Sequence, residues 1–231
     1  MNELRKTVAT SSRILGNSGH GDLIWGHSSA RDAENRGVWI KQSTWGMEEI
    51  TPELVHLVDS AGRVLEGDGP RHSEYPIHTE IMAARPDVGG VVHTHSRYAV
   101  ALAATGQPLR PVSHEGSFFC PPGVPRFTQT ADLILTPQLG KDVATALGSA
   151  PAVFLVNHGM VCVGPDLQTA TVIAILLDRA CEQQLLTHQD GGWPTWSDDE
   201  ESLGKRANIY TDASMHHVWD YLVRRLPTDS G

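Results

Sequence analysis

The chain has 231 residues, 40% of them apolar, which suffices for a full core and fits one large domain or two small ones. Lysine and arginine number 18 against 27 acidic residues, a net charge of −9 with no basic run, which excludes nucleic acid and anionic membrane surfaces as natural partners. Three scattered cysteines without a Cys-x-x-Cys pair, a charged amphipathic stretch over Met1 to Gly16 and no apolar run of membrane length point to a reduced, cytoplasmic setting, while twelve histidines favour a metal site without locating it.

Leu4, Val8, Ile14 and Leu15 mark a helical stripe, ended by the turn-forming run Gly16 to Gly21. Asp22 to Arg31 and Gly37 to Lys41 read as strands joined by the polar turn Asp32 to Arg36. Within the first, Gly26-His27-Ser28-Ser29 offers small donors for an anion, or is simply a strand with a glycine bulge. Leu54 to Val58 and Gly62 to Leu65 flank Asp59-Ser60-Ala61 as a hairpin. After the loop Gly67 to Ser73, residues Glu74, Ile77, His78, Ile81 and Met82 fall at helical spacing, and Pro86 closes the helix. Glu74 sits in its first turn, where the plain explanation is a charge favoured by the helix dipole. Val88 to His95 is a buried strand. Side chains alternate along it, so His93 and His95 point the same way with Thr94 between them, either as two ligands of one metal or as a hydrogen-bonded pair at a strand end.

Arg97 to Ala104 is a helix stopped by Gly106, and Leu109 to Val112 reads as a strand leading into Ser113-His114-Glu115-Gly116. Cys120 to Pro125 holds too many prolines to be anything but an irregular loop. Ala131 to Leu135 reads as a short strand, Gln138 to Leu147 as a helix capped by Gly148, and Ala152 to Val156 as a buried strand ending in Asn157-His158-Gly159. Met160 to Val163 returns from that turn, which puts His158 near the sheet rim. Asp166 caps a long helix reaching about His188, with Ala170, Ile173, Ala174, Leu177, Ala180 and Cys181 on its core face. Gln189 to Ser197 is a linker, and Asp198 to Arg225 one final charged helix that packs on a neighbour or covers a site mouth. Helices alternate with strands while hairpins intervene, which predicts an α/β layered domain with a mixed, largely antiparallel sheet.

Taken together, Gly26-His27-Ser28-Ser29-Ala30-Arg31, His72-Ser73-Glu74, the run Arg85-Pro86-Asp87-Val88 into His93-Thr94-His95, and Asn157-His158-Gly159 resemble the class II aldolase/adducin family. The family holds sugar-phosphate aldolases, a 4-epimerase, decarboxylases of hydroxylated aromatic dicarboxylates and the non-catalytic adducin head. The resemblance implies a three-layer α/β/α sandwich around a mixed, mostly antiparallel sheet. It also implies a single domain over residues 1–231, with a core of about 3–190 and a helical extension of about 198–225, assembled as a homotetramer with interfacial active sites. By the same resemblance His93, His95 and His158 are the ligands of one divalent metal ion per subunit, zinc first, with manganese, cobalt or iron as alternatives. Glu74 is then the acid/base beside the metal.

Two departures shape the expected substrate. Where sugar-phosphate members carry a phosphate-binding Asn and a pair of serines, this chain has His27, and His72 followed by Ser73. His27, Ser28, Ser43, Arg71, His72 and Ser73 are therefore expected to surround a smaller anion, a carboxylate, in a pocket narrowed by Trp45, unless His27 and His72 only hydrogen-bond each other or the backbone. The proton-donating Tyr of the aldolases is replaced at Glu115, after His114, which leaves His114 or Glu115 as donor or no donor needed. The expectation is a metal-dependent lyase that breaks a C–C bond, by aldol cleavage or decarboxylation through a metal-bound enolate, in a small non-phosphorylated carboxylate substrate. A sugar-phosphate aldolase or epimerase and a non-catalytic adducin-like binding module are the rivals.

Overall fold

The chain alternates short apolar strands with amphipathic helices, and the computed structural model, which describes residues 3–188 and 195–227, builds them into one eight-stranded sheet. The elements are α1 (Glu3–Leu15), β1 (His27–Arg31), β2 (Val38–Lys41), β3 (Val55–Val58), β4 (Val64–Glu66), α2 (Tyr75–Ala84), β5 (Gly90–Thr94) and α3 (Arg97–Thr105). They continue with α4 (His114–Phe119), β6 (Arg126–Phe127), α5 (Pro137–Leu147), β7 (Ala152–Leu155), β8 (Gly159–Gly164), α6 (Leu167–Thr187), α7 (Asp199–Ile209) and α8 (Asp212–Arg224). Strand order is β4-β3-β2-β1-β5-β8-β7-β6, antiparallel throughout except for the parallel pair β6/β7. The mixed, mostly antiparallel sheet of the sequence reading is the sheet observed.

Both faces of this sheet are covered, which is why its strands are apolar at successive rather than alternate positions. Val92, Phe154, Met160 and Cys162 turn toward a core shared with α1, α3 and α6. Their neighbours Val91, Val153, Val161 and Val163 turn toward a second core with α2 and α5. Gly90 is where α6 meets the sheet: a Cβ there would sit 2.4 Å from Leu167 Cα. Arg31, at the end of β1, donates to the Met82, Arg85 and Val88 carbonyls and ties the end of α2 to the sheet, so this part of the Gly26–Arg31 motif is architectural.

Four expected elements are corrected. Asp22 to Gly26 is a turn closed by Trp25 N–H on the Asp22 carbonyl, because Leu23 (φ 51°) and Gly26 (φ 76°) are left-handed, and β1 begins only at His27. Leu109 to Val112 forms no strand, since Pro108 and Pro111 offer no N–H and the Arg110 N–H is taken by Gln184 Oε1. Ala131 to Leu135 is irregular as well, and the short edge strand is β6 instead. The final helix is two helices: Tyr210 leaves helical geometry (ψ 50°), and Thr211 caps α8 by accepting the Ser214 N–H. They pack within the chain, α7 against α4 and α8 against α6. The expected linker lies mostly outside the described residues.

Candidate metal centre

β5 is hydrogen-bonded on one side to β1 and on the other to β8, so the side chains at its end stand in mid-sheet with walls on both flanks. His27 is the register partner of His93, and the β7–β8 turn, with Asn157 at φ 59°, swings His158 to the same end. Glu74 sits just before α2. Its side chain makes no capping bond to the helix and turns into the cluster, so the helix-dipole explanation of this carboxylate fails. One ligand atom from each of Glu74, His93, His95 and His158 lies within 4.8 Å of the others.

The hydrogen bonds show which nitrogen each ring keeps free. His93 Nδ1–H donates to the Met160 carbonyl at 3.0 Å, and His95 Nδ1–H to Asp22 Oδ2 at 2.9 Å. Their Nε2 atoms, and both ring nitrogens of His158, are buried without a hydrogen-bond partner among the described residues. Three buried imidazole lone pairs facing one another have no reason to persist unless something electrophilic sits among them, and a divalent cation satisfies all three. The residues therefore fit a metal. Glu74 Oε1 accepts the Ile134 N–H at 2.8 Å and is 3.5 Å from His158 Nε2, while Oε2 is 3.7 Å from His93 Nε2 and 3.8 Å from His27 Nε2.

Burial governs the titration of the cluster. It raises the Glu74 carboxyl above its ordinary value, opposed by the Ile134 N–H, and lowers His158 to about 4 and His93 well below the usual imidazole range. The His93 and His158 imidazoles are thus neutral near pH 7, the form in which nitrogen can ligate.

Beside this centre lies a second group of histidines. His27 Nδ1 and His78 Nε2 are 2.6 Å apart, His78 Nδ1 and Ser29 Oγ also 2.6 Å, and the His27 ring packs on His72 with centroids 4.5 Å apart. Neither simple alternative for His27 holds, since its partner is His78, a residue the sequence reading used only as a helix-face marker. Ser28 is corrected out of the anion pocket: it is the strand residue of opposite parity, and its hydroxyl meets Ser12 of α1 at 3.2 Å on the other face. Arg71 donates to the Gly62 and His72 carbonyls and stacks on Tyr75, Ser43 donates to the Pro70 carbonyl, and Ser73 is exposed next to Glu74. Trp45 is also exposed, and its carbonyl accepts from the buried Lys41 ammonium, which the Ile24 and Gln42 carbonyls complete.

His114 and Glu115 are not brought to the centre of their own chain. His114 is exposed at the start of α4 and Glu115 pairs with Arg179 at 3.1 Å. The residues that sequence reasoning missed are Asp22, which orients His95, and His78, the partner of Ser29, itself read only as one of the small donors of the Gly26–Ser29 segment. The only signal for His78 was its place one helical turn after Glu74.

Residues 6–185 match the family model described as Class II Aldolase and Adducin N-terminal domain. The chain is similar to 3,4-dihydroxyphthalate decarboxylase of Terrabacter sp. (strain DBF63), 32% identical over 202 residues, covering 81% of this chain and 82% of that protein. It is also similar to the meiotically up-regulated gene 14 protein of Schizosaccharomyces pombe, 30% identical over 208 residues and covering 88% and 76% of the two chains. Among solved structures, an aldolase II superfamily protein from Pseudomonas syringae superposes with a TM-score of 0.86 at 25% identity, covering 97% of this chain and 92% of that one.

Proposed function

The chain belongs to the class II aldolase and adducin family, with the fold and residues of a metal-dependent lyase, and on that premise we propose that it decarboxylates a small, non-phosphorylated, oxygenated carboxylic acid. The observation that carries the reading is the convergence of three partnerless Nε2 atoms, of His93, His95 and His158, beside the buried Glu74 carboxylate. His93, His95 and His158 hold the cation. A divalent ion there, zinc in the first instance, supplies Lewis acidity that withdraws electrons through adjacent substrate oxygens.

The chain's own groups do the rest. Asp22 and the Met160 carbonyl fix the tautomers of His95 and His93. Glu74 Oε1 is anchored by the Ile134 N–H, which leaves Oε2 to take or return a proton. Loss of CO2 leaves an electron pair on the substrate carbon, and a carboxyl whose pKa burial has raised is suited to protonate it.

Two observations support a carboxylate in place of a phosphate. The nearby cations are already spent, Lys41 on three carbonyls and Arg71 on two carbonyls and the Tyr75 ring. The remaining donors, the His27 ring and the exposed Ser73 hydroxyl, suit a singly charged anion. Relatives that are decarboxylases of a dihydroxylated dicarboxylate agree with that chemistry. His114 and Glu115 serve only if a neighbouring copy lends them across the interface of a homotetramer, and decarboxylation does not need them.

The test is metal analysis followed by a substrate panel of hydroxy-aromatic dicarboxylates, 2-keto-hydroxy acids and sugar phosphates, with CO2 and aldehyde both recorded. About one metal per chain with CO2 release from a carboxylate is the expected result. Aldehyde from a non-phosphorylated acid would move the assignment to aldol cleavage, and turnover of a sugar phosphate would overturn the substrate class. A protein without metal or turnover would be an adducin-like binding module.

A further inference from the structure

The Ser29–His78–His27 chain lies outside the metal-holding set and is fully buried, with Ser29 and His78 at 0% and His27 at 1% exposure. It is short at both joints, 2.6 Å and 2.6 Å, and spans two elements, since Ser29 and His27 lie on one face of β1 while His78 comes from α2. Its far end, His27 Nε2, is 3.8 Å from Glu74 Oε2, and the His27 and His93 rings are 5.0 Å apart. The hydroxyl of Ser29 has no side-chain or backbone partner other than His78 among the described residues.

Counting protons gives the chain a direction. A buried hydroxyl proton without an acceptor costs about 1–3 kcal/mol, so the arrangement that places every proton wins. If Ser29 O–H donates to His78 Nδ1, then His78 carries its proton on Nε2 and donates to His27 Nδ1. His27 in turn carries its proton on Nε2, aimed at the oxygen atoms around Glu74. Reversing the chain would leave the Ser29 proton with no acceptor and set the His27 Nε2 lone pair against the carboxylate oxygen. Neutral histidines in this direction need no charge in the protein interior.

We propose that Ser29 and His78 are positioning residues that lock His27 into its Nε2–H tautomer, and that His27 Nε2–H is the donor that holds an anionic carboxylate oxygen of the substrate beside Glu74. The second half rests on the decarboxylase reading above; the first does not. An anion at this point receives a directional hydrogen bond from a neutral ring. A doubly charged phosphate receives no countercharge from it, so the chain sets specificity as well as orientation.

The experiment is long-range 1H–15N NMR of the histidine ring nitrogens in the full-length protein, metal-loaded, with His27 and His78 assigned through His27→Asn and His78→Asn. Both rings are expected as Nε2–H tautomers in the parent protein, and His27 found as Nδ1–H overturns the proposal. In Ser29→Ala the order is lost and His27 shows a mixture of tautomers, while Ser29→Thr, which keeps the hydroxyl, restores the parent pattern. Kinetics on the substrate identified by the panel then test the second half. Ser29→Ala should raise KM about tenfold with metal content unchanged, and Ser29→Thr should recover most of it. A Ser29→Ala protein with the parent tautomers and the parent KM removes the positioning role. If no carboxylate is turned over, the functional reading fails while the NMR result still decides the tautomer.

Discussion

Asp22→Ala removes a single carboxylate that lies outside the metal-holding set, and its effect follows from one bond. Asp22 Oδ2 accepts from His95 Nδ1 at 2.9 Å, a bond that turns the ring so that Nε2 faces His93 and His158, whose rings pack against it. Partners of this kind raise the basicity of the ligand and fix its orientation, and their removal costs about tenfold to a hundredfold in metal affinity, ~1.4–2.7 kcal/mol. The Asp22 side chain is 38% exposed, so water screens the charge and substitutes for it in part, which places the expected loss near the lower bound. Asp22→Asn keeps an acceptor without the charge and should fall between the parent and Asp22→Ala. The turn survives either change, because it is closed by the backbone bond from Trp25 N–H to the Asp22 carbonyl. Zinc affinity measured by competition with a chromogenic chelator at fixed pH reads the effect. An Asp22→Ala protein that binds zinc as tightly as the parent would refute the claim that this carboxylate orients a metal ligand.

Other outcomes follow from the same geometry. His158→Ala should strip the metal from the purified protein, whereas Glu74→Gln, which keeps the Ile134 N–H acceptor, should retain the metal and lose at least about a hundredfold in turnover; elemental analysis beside a turnover assay separates the two. In metal-free protein His78 is lowered to about 3 and His72 to about 2, chiefly by burial. Between an unfolded pKa of about 6.5 and those values the unfolded chain binds protons that the folded chain refuses, so stability falls as pH falls, by about 1.4 kcal/mol per pH unit for each group. Melting curves between pH 7 and pH 5 should show the decline, and a flat melting temperature would mean that these rings are not buried neutral. Gly90→Ala puts a methyl 2.4 Å from the Leu167 backbone, which neither element can yield, and should destabilise by about 3 kcal/mol in denaturant titration.

Much of the centre was legible in the chain itself. A β-branched run delivering His93 and His95, a second apolar strand delivering His158 through a glycine turn, and a glutamate at the head of a helix are local patterns, and local patterns survive into the fold because each is set by its own strand or turn. Helices α5 and α6 were legible for the same reason, with Thr136 and Asp166 capping them through their own third-following N–H groups. What the sequence left undetermined depends on contacts between distant residues. His27 and His78 are 51 positions apart and His95 and Asp22 are 73 apart, so nothing near either residue announces its partner. Ser28 was misplaced for a related reason: with apolar layers on both faces of the sheet, alternation says that Ser28 and His27 point oppositely without saying which of them faces the metal. Only the pairing of β1 with β5, which sets His27 opposite His93, and the packing of α2 on that face decide it, because burial of a polar side chain depends on which donors the folded chain brings within reach.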